Sequence, residues 1–349
     1  MHDDLDTQCQ PACRKPALRK LIELSDGKPP SSALARPRLR SDDPQIRKLI
    51  HDGQNFGRTV SAFANIESIF IAGLNNQPVT EEQYREMKEL KLYKKLLAVS
   101  HGLEDVILNS KGEEELTSIA AFLQKGLMIG RFNDIKSLKS AVLDWIVPIG
   151  NERLDPPLRR GTKTGRGFHH DRTGSLLCPV GLDWNKDSDG IREMVIGGDQ
   201  WPIFLYENEI FDPEDPWKGL LRNQILVQGF KHIFKDENNG MTQVTAASIA
   251  YTSAQIRFAL SSTTIFARSD KETLSEVFYN SILELLEDPE ELEEVEQLLT
   301  WWNKRVTPTP PPVLKRRDHN GIFCSGRFRV AVFGLLAVTL SRFLFLYNA

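Results

Sequence analysis

The stretch GRGFHHDRTGSLLCPVGLDW, Gly165–Trp184, places His169, His170, Asp171 and Cys178 within ten positions, just after the cations Arg159, Arg160, Lys163 and Arg166. Such residues can ligate a metal, pair a thiol nucleophile with a base, or shape a tight turn. Asp171-Arg172-Thr173-Gly174 has turn chemistry, with Asp at the first position and Gly at the last. It predicts a β-hairpin whose strands are GFHH and SLLCPV, with one histidine hydrogen-bonded. Neighbouring side chains on a strand point to opposite faces, so His169 and His170 do not share a metal there, whereas His169 and Asp171 could. That site would need further ligands, such as His232 or the acidic run Glu207, Glu209, Asp212, Glu214 and Asp215. Beside Pro179 and two leucines, Cys178 reads as a buried structural thiol rather than a nucleophile. The expectation is therefore no catalytic residue, no cofactor and no resident metal, with His169, Asp171 and Cys178 as the candidates against it.

Clustered carboxylates around Asp212 could hold magnesium in a nuclease. A plainer account is that Pro213 and Pro216 enforce turns and Asp215 caps a following helix, with Trp201, Tyr206 and Trp217 packed beneath. Arg153, Arg159, Arg160, Lys163 and Arg166 are opposed locally only by Glu152 and Asp155. They form the candidate surface for phosphate-backbone contact, and a solvated linker is its plainer counterpart. Gly161–Gly165 lacks the G-K-[ST] ending of a phosphate-binding loop.

The flanking elements read as helices. Asp42-Asp43-Pro44 opens one that carries Ile46, Leu49, Ile50, Phe56, Val60, Phe63, Ile66 and Phe70 on one face, bent at Gly53 or Gly57, and ends near Asn75-Asn76. A second opens at Thr80-Glu81-Glu82-Gln83 and reaches Ile107. A third covers Glu113–Leu127, and a fourth starts after Asn133 and stops before Pro148. Residues 149–218 lose the helical period and form an irregular insert, with the hairpin and a short helix at Ser188–Val195. Helices resume at Asp215-Pro216-Trp217, over 242–260 with Ala246, Ala247, Ala250 and Ala254 for close packing, over 272–287, and from Asp288-Pro289 to Trp302. There Leu292, Val295, Leu298, Leu299 and the tryptophans read as core, and Glu290, Glu291, Glu293, Glu294 and Glu296 as a solvated face. The fold class is mainly α: a multi-helix bundle in two halves, 42–148 and 219–305, around the insert 149–218.

Outside these lie a leader over 1–41 that reads as disordered, a Pro-rich and basic linker over 306–325, and an apolar tail over 326–349. Cys9 and Cys13 make a lone C-x-x-x-C with His2 as the only nearby extra ligand. The tail run VAVFGLLAVTLSRFLFLY, with Val330, Phe333, Leu336, Leu340, Phe343 and Leu346, could act as a C-terminal membrane anchor, or pack on the body. A net charge of −3 over 349 residues argues against bulk attraction to nucleic acid. An acidic N-terminus without an apolar run argues against a secretory signal, and four scattered cysteines fit reduced thiols in cytoplasm or nucleus.

The segments GFHHDRTGSLLCPVGLDW, DQWPIFLYENEIFDPEDPWKGLLRNQILVQGFKHIF, ASIAYTSAQIRFALSS and FYNSILELLEDPEELEEVEQLLTWWN resemble, in order and spacing, a fungal family that is multi-copy in mushroom-forming basidiomycetes, domain of unknown function 6698. The resemblance spans roughly 42–305 and excludes the apolar tail. It implies no activity, cofactor or catalytic residue. The leading reading is a non-enzymatic interaction module with a protein partner, touching nucleic acid through Arg159–Arg166. The alternatives are a metal-dependent hydrolase using His169, Asp171 and Asp212, and an adaptor tethered to a membrane by 326–349.

Overall fold

Asp43 starts the ordered helices as expected: its carboxylate accepts the Gln45 N–H at 2.8 Å, and Pro44 occupies the first turn. The computed structural model describes residues 43–74, 87–194, 196–234, 243–263 and 274–306. Eleven α-helices are found among them: α1 Pro44–Thr59, α2 Ile66–Leu74, α3 Lys88–Val99, α4 Leu103–Leu108, α5 Glu113–Trp145, α6 Asp171–Leu177, α7 Trp184–Glu193, α8 Gln224–Ile233, α9 Ala246–Leu260, α10 Leu274–Glu287 and α11 Leu292–Val306. The described residues hold no sheet, only two isolated bridges, Pro179 to Pro202 and Tyr206 to Leu220. The chain divides into a unit ending at Pro308 and a second unit, Thr309–Ala349. The second unit, the Thr80 opening of the expected second helix, and the Cys9–Cys13 pair fall outside the described residues.

Several helix boundaries differ from expectation for identifiable reasons. The first expected helix is two, because Val60 and Ser61 both turn back onto the Phe56 carbonyl and Asn65 then caps α2 through the Glu67 and Ser68 amides. The second breaks at Gly102, whose φ of 78° is left-handed. The expected third and fourth helices are the single 33-residue α5, about 50 Å long at 1.5 Å per residue. Asn133 does not interrupt it. Glu113, Glu114 and Glu115 favour its start through the helix dipole, and Pro148 follows its end. The helix expected at Asp215 starts instead at Gln224. Gly219 and Leu221 take positive φ and hold the preceding chain in turns until Asn223 caps Ile225. Asp183 caps α7 and so sets its start ahead of Ser188.

The two-halves arrangement is replaced by two cores that share α5. One core joins Leu49 and Phe56 of α1, Ile69 and Phe70 of α2, Leu96, Leu103 and Ile107 with Ile119, Leu123 and Leu127 of α5. The larger joins Leu138, Val142 and Leu143 of α5 with α8–α11, and Leu176, Phe204, Leu205 and Tyr206 are buried in it. The insert thus joins the main core through these residues, while Cys178, Trp184, Ile191 and Ile196 leave water in a small cluster of their own.

The α1–α5 crossing is unusually close. A Cβ on Gly53 would lie 2.1 Å from the Leu123 carbonyl oxygen, and one on Gly126 would lie 2.1 Å from that of Ile50. Gly57 faces Leu127 and Gly130 faces Gln54 in the same seam. Gly53 and Gly126 permit backbone-to-backbone contact, and Gly53 and Gly57 lie within one continuous helix rather than at a bend. Next to the seam Arg58 donates to both oxygens of Asp134, at 2.8 and 2.7 Å, and the Tyr251 hydroxyl donates to Oδ2 at 2.6 Å. This buried group ties α1, α5 and α9 together, and Thr245 adds a 2.8 Å bond from the head of α9 to the Thr59 carbonyl. We expect Gly53→Ala and Gly126→Ala each to cost at least about 3 kcal/mol in denaturant unfolding, because the clash is with backbone. Gly130→Ala, with ordinary contacts at 3.5 Å, should be neutral or gain up to about 1 kcal/mol from helix propensity.

Candidate functional site

The expected hairpin is helical. Gly167–His169 form a 3₁₀ turn and Asp171–Leu177 form α6. His170 is the reason: it is buried, and its Nδ1 accepts the Arg172 N–H at 3.0 Å as the cap of α6. Its Nε2 lies 2.7 Å from the Pro156 carbonyl, so the ring donates there and the Nε2–H tautomer is fixed. Asp171 then falls in the first turn, where the dipole favours it. Gly174, read as a turn glycine, lies inside α6, where a Cβ would meet the Trp184 ring.

The candidate chemistry is distributed among separate partners. His169 is exposed on its turn. Asp171 accepts from Arg192 at 3.0 Å. Cys178 is buried with Trp184, Ile191 and Ile196, and its thiol faces the Pro179 and Leu182 carbonyls at 3.6 Å. Burial, with Asp183 nearby, raises its pKa and keeps it protonated. Glu209 forms a bidentate pair with Arg172 at 2.7 and 2.6 Å, and Arg172 also holds the Ile146 carbonyl. Asp212 pairs with Lys218 at 2.9 Å and accepts the Glu214 N–H; its pKa is lowered by these bonds. Glu207, Glu214 and Asp215 are exposed. The His232 ring packs edge-on to Trp145 at 5.6 Å. Among the described residues no three His, Cys, Asp or Glu side chains converge as a metal-binding group.

The basic segment splits by burial. Arg153 and Arg159 are exposed, and Arg160 makes a bidentate pair with Asp144 that holds that carboxyl below its usual range. Arg166 points inward and is fully buried. It donates to the Ala259 carbonyl near the end of α9 at 2.8 Å, to Lys139 at 2.7 Å and to Arg159 at 3.3 Å, and burial lowers its pKa to about 10. Lys163 is also buried, with its Nζ 3.3 Å from the Phe258 ring centre and bonded to Ser261 and the Thr263 carbonyl. These two side chains fasten the 159–166 loop to the carbonyls at the end of α9 through their N–H groups. They are turned away from any polyanion outside.

The described surface carries a feature that the residue pattern did not bring forward. On α5, Ala121, Lys125, Met128, Phe132 and Lys136 are exposed on the face opposite the glycine seam, Met128 at 56% and Phe132 at 66%. Their spacing of three and four places them in one stripe. Between Glu115 and Asp144 the only carboxylate on α5 is the buried Asp134. The stripe was legible only once 113–145 was treated as one helix, since apolar residues then occupy both faces.

Residues 125–307 match the family of unknown function DUF6698, and the chain belongs to that family. Neither the curated proteins nor the solved structures gave a match. No helix among the described residues is long and apolar enough to cross a membrane. The tail residues Val330, Phe333, Leu336, Leu340, Phe343 and Leu346 lie outside the described set.

The Lys163 environment sets a pH dependence. Burial, with the charges of Arg166 and Lys139, lowers its pKa from 10.5 to about 7. In the unfolded chain the ammonium persists to about 10.4. Between these values the unfolded state binds more protons, so this group makes stability rise with pH above about 7. Against Lys163→Met, the wild-type chain should gain on the order of 1–2 kcal/mol between pH 6.5 and 8.5 in parallel urea titrations. Equal slopes for the two proteins would refute the assignment.

Proposed function

We propose that the protein is a non-enzymatic interaction module, an adaptor that holds a partner protein on the outward stripe of α5. The observation that carries this reading is the pairing of exposed Met128 and Phe132, one turn apart, on a helix fixed from behind by the glycine seam. A rigid helix loses little freedom on binding, and exposed large apolar side chains in one patch serve as anchors. Lys125 and Lys136 bracket Met128 and Phe132, about 16 Å apart along the axis. The partner that fits is an amphipathic helical segment with an apolar face and acidic flanks.

The internal partners of the other candidates support the same reading. His170, Asp171, Glu209 and Asp212 serve caps and ion pairs, which is the work of a scaffold. Contact with nucleic acid through 159–166 would draw on Arg159, and on Arg160 only after Asp144 is displaced.

The test is selection of displayed helical peptides on the full chain. Acidic amphipathic sequences should be enriched, and Met128→Ala/Phe132→Ala should weaken them about tenfold or more while leaving the unfolding midpoint within experimental error. Enrichment that the double substitution leaves unchanged would overturn the proposal.

A further inference from the structure

The last described helix carries a second surface, independent of the α5 stripe. One face of α11 buries Val295, Leu298 and Trp302, the last donating its indole N–H to the Leu221 carbonyl at 3.1 Å. The opposite face presents Glu293, Glu296, Gln297, Thr300, Trp301, Lys304 and Arg305, which line one shallow hollow. Its charge is polar along the axis: both acids lie in the first half and both cations at the end. Trp301 is half-buried between them, with the Arg305 guanidinium 4.2 Å and that of Arg222 5.9 Å from its ring.

We infer that this face is a homodimer interface, on which the α11 helices of two copies pack antiparallel about a twofold axis. The order acid, neutral, aromatic, base is self-complementary only in that orientation. With the axis near Leu298 and Leu299, Glu293 of each copy lies opposite Lys304 of the other, Glu296 opposite Trp301, and Gln297 opposite Thr300. Each pairing occurs twice, as an isologous contact requires. Parallel packing would set acid against acid and base against base, which is repulsive. The helix dipole alone would also favour acids early and bases late. It does not require the four charges to share a face, nor a half-exposed tryptophan between them, and tryptophan is the residue type most enriched at binding hot spots.

The test uses the full chain in sedimentation velocity at tens of micromolar and low salt. The wild-type protein should sediment at twice 39.6 kDa, and at the monomer mass when salt is raised. Glu293→Lys/Glu296→Lys and Lys304→Glu/Arg305→Glu should each weaken self-association at least tenfold. An equimolar mixture of the two should restore a dimer containing one of each, which a misfolded variant could not do. Trp301→Ala should weaken the wild-type dimer, and Met128→Ala/Phe132→Ala should leave it intact. A monomeric wild-type protein, self-association unaffected by either charge reversal, or a mixture that stays monomeric would each overturn the inference. Loss of the dimer in the Met128/Phe132 variant alone would transfer the interface to α5 and overturn it as well.

Discussion

The architecture depends on how closely α1 can approach α5. Peptide carbonyls of Leu123 and Ile50 occupy the space where side chains of Gly53 and Gly126 would stand. Only glycine allows that separation, and the distance fixes what lies around it. It brings Arg58 within reach of both Asp134 oxygens, and Asp134 then accepts the Tyr251 hydroxyl from α9. A buried carboxylate is tolerable only with such partners. One close contact between two helices thereby determines where a third is seated.

The same constraint explains the outward stripe. With its inner face committed to α1 at one end and to α8 and α9 at the other, α5 has a third face that no described element covers. Met128 and Phe132 remain there in water. On a helix shared by two cores this face cannot rotate inward without breaking both.

Much of the helical content was legible from periodicity and caps, at Asp43-Pro44, around α9 with its small residues, and at Asp288-Pro289. What was illegible depended on contacts far along the chain. Glycines at 53 and 57 look like bends until Leu123 and Leu127 are known to face them. Asp171–Gly174 has the composition of a turn, yet the His170 side chain caps it as a helix and the Trp184 ring takes the space beside Gly174. A run of cations looks exposed when the carbonyls that receive Lys163 and Arg166 lie a hundred residues away. The candidate site suffered most, because residue types report what chemistry is available and not whether a neighbour already uses it.

The family match begins at Lys125, immediately before Gly126 and in the middle of α5. Gly126, Gly130 and Asp134 lie inside the matched stretch, while Gly53, Gly57 and Arg58 lie outside it. A truncation that kept only the matched residues would cut a helix, open its seam to water and strand a carboxylate without its guanidinium. The matched stretch is thus shorter than the body whose cores it shares, since α1–α4 lie before it. A fragment that starts at Lys125 lacks the helix whose Ile50 and Gln54 lie against Gly126 and Gly130.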